Sequence, residues 1–567
     1  MLEDCVYRLR MLQLPAFCTL LLLVVVVMVT ATHDGEIVRI AEGHVQGSKM
    51  ISFRGREFRA FRGIPYAEPP TGTLRFKPPQ PKSPWSGILN ATVEGSICPQ
   101  MNRAEVYVGD EDCLFLNVYA HKNARRNPVI VWVHGGSFYA GHGGINITAP
   151  QFLLDQDITL VTFNYRLGPL GFLSTGDSAL PGNYGLKDAV EVLRWIQRNI
   201  ESFGGNRDLV TVYGYSSGGA MAQSLTMSPL TKGLFHRVIF ESGSALHHWA
   251  FKSSPIQEAR QVAKLIGCPS SDSSSGVAEC VASASAKELV ETLYSFPYWA
   301  VKFPTPYGLV VEVQDDDSDP PFLTEPPLQL LRKGHALKIP AITGNTAAES
   351  IFLAAMINKS DELRKELDEH FDRTVLKSFI PGNISEEFVR EVKQFYFHRG
   401  SAKEATLEQL IQLISDITIN YNSYQSSVEF AAATEVSVYM YLFSFQGRVS
   451  SIVTGNINPT PLGVAHGDDL LYIFGTGLDF PGGGPNSEEA KTIMRVTKML
   501  ADFALKGDPT PKSNNLIPVK WLPLLEGGKP YRYLEINDEL TMQSGPIYPE
   551  RMAFWDNLLA KRRRGEL

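Results

Sequence analysis

A chain of 567 residues that is 44% hydrophobic, 20% charged and 10% aromatic has the composition of a globular protein with a sizeable core. Its formal charge of -7 at pH 7 argues against a general nucleic-acid binder, which needs a basic excess. The one basic run, Lys561-Arg-Arg-Arg564, reads as a solvated C-terminal tail.

At the N-terminus, Arg8 and Arg10 precede an apolar stretch from Leu14 to Val29, and Val29-Thr30-Ala31 has the small-residue spacing of a signal-peptidase site. Residues 1–31 read as a secretory signal cut after Ala31. The alternative is an uncleaved anchor, for which the apolar run is short. No later segment approaches membrane-spanning length. An oxidising compartment makes the cysteines candidates for disulfides. With Cys5 and Cys18 removed in the signal, Cys98, Cys113, Cys268 and Cys280 remain; they allow three pairings, of which proximity favours Cys98–Cys113 and Cys268–Cys280. Sequons at Asn90, Asn146, Asn358 and Asn383 agree with a lumenal or secreted glycoprotein.

From residue 128 onward short β-rich runs alternate with helical ones. Strands are expected at 128–133, 158–163, 209–213, 237–240, 339–343 and 437–442. Their nearly continuous apolar character suits a parallel sheet buried on both faces. Between them, 185–200 places Leu186, Val190, Leu193 and Ile196 or Ile200 at helical spacing. This alternation predicts an α/β protein, with residues 32–560 as one domain and 285–430 as a helical insertion over the sheet. The serine-rich stretch 270–276 is expected to be exposed.

The chemistry concentrates in Gly214-Tyr-Ser-Ser-Gly218, a G-x-S-x-G pattern between a predicted strand and the plausible helix 220–227. Glycines flank such a serine because the strand-to-helix turn brings backbone too close for side chains, and the turn lifts the hydroxyl off the sheet. Ser216 is therefore the candidate nucleophile, with a glycine-rich bend as the bland alternative. Attack on an acyl carbonyl creates an oxyanion that needs fixed donors. The N–H of Ser217 is one, and His134-Gly-Gly-Ser137 offers those of Gly136 and Ser137. No His/Cys cluster at zinc spacing and no phosphate-binding glycine motif is present, so no metal or organic cofactor is expected.

Further motifs carry a resemblance. Glu111-Asp-Cys-Leu-Phe-Leu-Asn-Val-Tyr119 resembles the E-D-C-L-x-L-N-V-Y signature of the type-B carboxylesterase and cholinesterase family, a group of α/β hydrolases. Residues 61–70, Asn164-Tyr-Arg-Leu-Gly168, Phe203-Gly-Gly-Asn206 and Glu241-Ser-Gly-Ser244 are similar to other motifs of that family, and the matches run from about residue 36 to 557. The resemblance implies an α/β-hydrolase fold, a mostly parallel sheet covered by helices on both faces. It also supports the two short-range disulfides and implies an Arg75–Glu111 salt bridge. It implies a triad as well: His466, in the loop Gly463-Val-Ala-His-Gly-Asp-Asp469, as base, and Glu349, closing Gly344-Asn-Thr-Ala-Ala-Glu349, as the acid that orients it. Spacing alone does not select Glu349 among so many carboxylates. The implied activity is hydrolysis of small-molecule carboxylic esters through an acyl-enzyme.

Two departures narrow this. Tyr215 stands where many members carry Glu, so the family's buried network through Ser242 and Asp469 lacks one charge, with the tyrosine hydroxyl available to replace it. Between Cys98 and Cys113 there is no tryptophan to stack on choline, which argues against acetylcholine. Non-catalytic adhesion proteins of the same fold, which lose the serine, and lipases are the alternative readings. The final Arg564-Gly-Glu-Leu567 resembles a K/H-D-E-L retrieval signal, which sets residence in the endoplasmic reticulum lumen against secretion.

Overall fold

The computed structural model describes residues 36–566 apart from 270–272, 297–305, 314–318, 377–379, 381, 398–400, 451–461, 476–483, 485 and 526–530. The signal segment and its cleavage site lie outside the described residues. Eleven strands form the main sheet: β1 (Ser48–Ile51), β2 (Glu57–Pro65), β3 (Phe115–Ala120), β4 (Asn127–Val133), β5 (Thr159–Phe163), β6 (Gly205–Tyr215), β7 (Arg237–Glu241), β8 (Ala341–Thr346), β9 (Val438–Phe443), β10 (Arg532–Ile536) and β11 (Leu540–Ser544). Their spatial order is β11-β10-β9-β8-β7-β6-β4-β5-β3-β2-β1. The run from β10 to β5 is parallel, and both edges are antiparallel. The fold is thus the α/β architecture expected, with a mostly parallel sheet.

All six predicted strands are present, each within a few residues of its expected bounds. The apolar runs are buried on both faces, as strands flanked by helices must be. In β4, Val129, Val131 and Val133 join one core while Ile130 and Trp132 join the other. The first core is closed by helices α1 (Tyr184–Asn199), α2 (Ser217–Leu225) and α4 (Tyr421–Thr434), the second by α5 (Glu488–Lys506). In α1 the residues Leu186, Val190, Leu193 and Ile196 are all buried in the first core, as their spacing predicts. The region 285–430 is helical in large part but also supplies β8. Its α3 (Ile351–Lys359) packs in a third apolar cluster against Met552, Trp555 and Leu558 of the C-terminal α6 (Pro549–Arg563).

Polar motif residues brace this frame. Arg166 Nε donates to Asp188 Oδ2 at 2.9 Å and Nη2 to Oδ1 at 2.7 Å, with the two side chains 4% and 0% exposed. Asp188 also accepts the Arg166 amide at 3.0 Å. Removing the carboxylate strands a guanidinium away from water, so Asp188→Ala is expected to cost ~3–5 kcal/mol, read as a lowered urea-unfolding midpoint. An unchanged midpoint would contradict the burial described. Arg75 Nε donates to Glu111 Oε2 at 2.8 Å and Nη2 to Oε1, the salt bridge that the family resemblance implies. Both expected disulfides, Cys98–Cys113 and Cys268–Cys280, are formed. Asn90, Asn146 and Asn383 are exposed, whereas Asn358 on α3 is half-buried and accepts from Arg364 Nη1 at 2.6 Å. Among the described residues no helix is long and apolar enough to cross a membrane.

Candidate active site

Strand β6 extends beyond its predicted end to Tyr215, and α2 begins at Ser217. Ser216 is the single residue between them, at φ 57° and ψ -123°. A non-glycine residue there is strained, and strain of this kind costs on the order of 1–3 kcal/mol. The turn is held because the Ser216 N–H donates to the Glu241 carbonyl at 2.8 Å and its carbonyl accepts from Ala220 at 3.1 Å. The flanking glycines are demanded by close approach. A Cβ on Gly214 would lie 1.9 Å from the Gly218 carbonyl oxygen, and one on Gly218 would lie 2.1 Å from that of Val133.

Two distant loops converge on this serine. Ser216 Oγ lies 3.1 Å from His466 Nε2, and His466 Nδ1 lies 2.6 Å from Glu349 Oε2. The Glu349 carboxylate is fully buried, its other oxygen fixed by Ser242 Oγ at 2.6 Å and by the Thr346 N–H at 2.9 Å. Ser242 sits just after β7 with φ 48°, a second strained residue that aims its hydroxyl at the acid. Its role was not legible in sequence, because nothing local ties position 242 to position 349.

The 134–137 loop lies against the serine: a Cβ on Gly135 would come within 3.0 Å of Ser216 Cβ. Ser137 keeps a left-handed φ of 55° although it is not glycine. His134 braces the loop. Its ring stacks on Tyr165 at 4.2 Å, its Nδ1 bonds the Gly135 carbonyl at 2.8 Å, and its own carbonyl accepts the Tyr165 hydroxyl at 2.8 Å. Burial drives the His134 imidazole down to about 3, so it stays neutral. At the start of α2 the N–H groups of Ser217 and Gly218 have no carbonyl partner within the helix and present positive charge at the serine.

Behind Ser216, His466 and Glu349 lies a pair of buried acids. Glu241 ends β7 and lies close to Asp469. Tyr213 donates its hydroxyl to Glu241 Oε2, and Tyr441 donates to Asp469 Oδ2 at 3.1 Å. Burial, then the neighbouring Asp469 charge, raises Glu241 well above the usual carboxylate range; burial lifts Asp469 to about 6. Repulsion between two buried carboxylates this close favours one proton on the pair. This corrects the expectation for Tyr215: the groups that reach Asp469 are Glu241 and Tyr441, while Ser242 serves Glu349. Tyr215 instead lays its ring against His466, centroids 4.6 Å apart at 34°. A carboxylate directly after the apolar run Val238-Ile-Phe240 was the available signal for Glu241. Among the described residues no three His, Cys, Asp or Glu side chains gather to hold a metal ion.

A sheet of this order with a strained serine where a central strand meets its helix defines an α/β hydrolase. The carboxylesterase family profile matches residues 34–555. The chain is 35% identical over 496 residues to juvenile hormone esterase of Tribolium castaneum, covering 83% of this chain and 84% of that protein. It is 31% identical over 551 residues to carboxylesterase 1C of Rattus norvegicus, covering 93% and 94%. The crystal structure of juvenile hormone esterase from Manduca sexta, with OTFP covalently attached, superposes with a TM-score of 0.81 at 28% identity, covering 93% of this chain and all of that one. The chain belongs to the carboxylesterase family and is a carboxylic ester hydrolase.

Proposed function

We propose that ester hydrolysis runs through a Ser216–His466–Glu349 triad and an acyl-enzyme. The observation that carries this reading is the unbroken chain of contacts, 3.1 Å from Ser216 to His466 and 2.6 Å from His466 to Glu349. His466 Nε2 takes the Ser216 proton as Oγ attacks the ester carbonyl carbon. The resulting oxyanion is held by the N–H groups of Gly136, Ser137 and Ser217. His466 returns the proton to the leaving alkoxide, which departs as the alcohol. Water, deprotonated by the same imidazole, then adds to the acyl carbon, and expulsion of Ser216 releases the carboxylic acid. Glu349 keeps Nδ1 protonated and stabilises the imidazolium throughout. The intact triad disfavours a purely adhesive role for the chain. Release of p-nitrophenol from a short-chain p-nitrophenyl ester by the purified protein tests the activity, and a folded but inert protein would refute it.

We further propose residues 32–560 as a single hydrolase domain that enters the secretory pathway. Glycans would be carried at Asn90, Asn146 and Asn383, and at Asn358 once it is freed from Arg364. Deleting Arg564–Leu567 is expected to shift the protein from the endoplasmic reticulum into the medium, followed by immunoblotting. An unchanged distribution would remove the retrieval reading.

A further inference from the structure

The ring of Tyr215 touches two separate loops of the site. It faces the His466 imidazole with centroids 4.6 Å apart. Its hydroxyl end abuts the next residue, since a Cβ on Gly467 (φ 80°) would lie 2.6 Å from the Tyr215 oxygen. Its Cδ1 edge would meet a Cβ on Gly135, beside the oxyanion loop, at 2.9 Å. The backbone leaves the ring little choice of place, because Tyr215 is the last residue of β6 and Ser216 follows at a fixed, strained φ.

We propose that Tyr215 is a positioning residue for hydrolysis: its ring forms the wall that holds His466 between Ser216 and Glu349 and stabilises the imidazolium through its π face. The inference rests on the triad reading above. An imidazolium within about 6 Å of an aromatic face is attracted to the ring quadrupole, and the attraction grows where water is excluded. The groups around the ring are Glu349, Asp469, Glu241 and Asp468, together with His466 itself. Burial and those carboxylates raise the phenol well above its usual range, so the ring stays neutral while the imidazole changes charge. His247, which also senses His466, is held neutral at about 3 by its own burial. Tyr215 thus places a neutral, polarisable surface on the base and fills the space in front of the Glu241–Asp469 pair.

The test compares Tyr215→Leu, Tyr215→Phe and Tyr215→Glu through the pH profile of kcat/KM for a p-nitrophenyl ester, with active sites counted by the p-nitrophenol burst. Leu keeps bulk but loses the π face. It is expected to lower kcat/KM about tenfold and to move the acidic limb down by about half a pH unit, because the imidazolium loses stabilisation. Phe restores the ring, bringing kcat/KM back to within about threefold of the parent and the limb to its original place. Glu sets a negative charge against the imidazole and moves the limb up by about one unit. If Leu does not fold, Tyr215→Met supplies the same ringless comparison. A limb that stays in place in the ringless variant overturns the inference and leaves Tyr215 as packing. Failure of the triad reading is separate: it appears as turnover retained in Ser216→Ala.

Discussion

Ser216→Ala is expected to reduce kcat toward p-nitrophenyl esters by about 10⁴–10⁶-fold with KM changed little, since removing the nucleophile of such a triad abolishes the covalent route and leaves only binding and oxyanion stabilisation. Fold and stability should survive. The turn at 216 is fixed by backbone bonds to Glu241 and Ala220 and by the glycine approaches at 214 and 218, none of which involves Oγ. The thermal midpoint checks this: an inactive variant that melts with its parent isolates the chemistry. Turnover within tenfold of the parent would move the reaction away from Ser216.

Glu349→Gln should cost nearly as much, about 10⁴-fold in kcat, for a reason specific to this site. One carboxylate oxygen accepts from Ser242 Oγ at 2.6 Å and from the Thr346 N–H at 2.9 Å. In the amide that position must be the carbonyl oxygen, because the Thr346 N–H can only donate. The NH₂ is then forced toward His466 Nδ1, which must become an acceptor. The proton moves to Nε2, the nitrogen that should receive the Ser216 proton, and the base is locked in the wrong tautomer. Steady-state kinetics over a wide pH range checks the expectation. A loss below about tenfold would show that Glu349 does not orient the base, and would turn attention to Asp469.

These two residues differ in how far the sequence reveals them. Ser216 is legible because its conformation imposes glycines within two residues on either side, so the signal is compressed into five positions. Glu349 is selected by Ser242 and His466, 107 and 117 residues away. Only the family resemblance pointed to it. The parallel strands were readable from continuous apolar runs such as 128–133, since burial on both faces removes the alternation. The antiparallel edges β1, β2, β10 and β11 were not. They lack a continuous buried apolar run, and their pairing depends on the rest of the sheet. The Glu241–Asp469 pair escaped for a related reason, since the two acids are 228 residues apart and meet only once β7 and the 466–472 loop are adjacent.

Hydrolysis by this route passes through a covalent bond to one hydroxyl, that of Ser216. The most direct test is intact-mass analysis of the protein quenched in acid during turnover of a slowly deacylated p-nitrophenyl ester, followed by peptide mapping. A mass gain of one acyl group, carried by the peptide containing Ser216 and absent from Ser216→Ala, is the result predicted. Continuing turnover with no acylated protein, or an acyl group mapped to another residue that is equally labelled in Ser216→Ala, would contradict it.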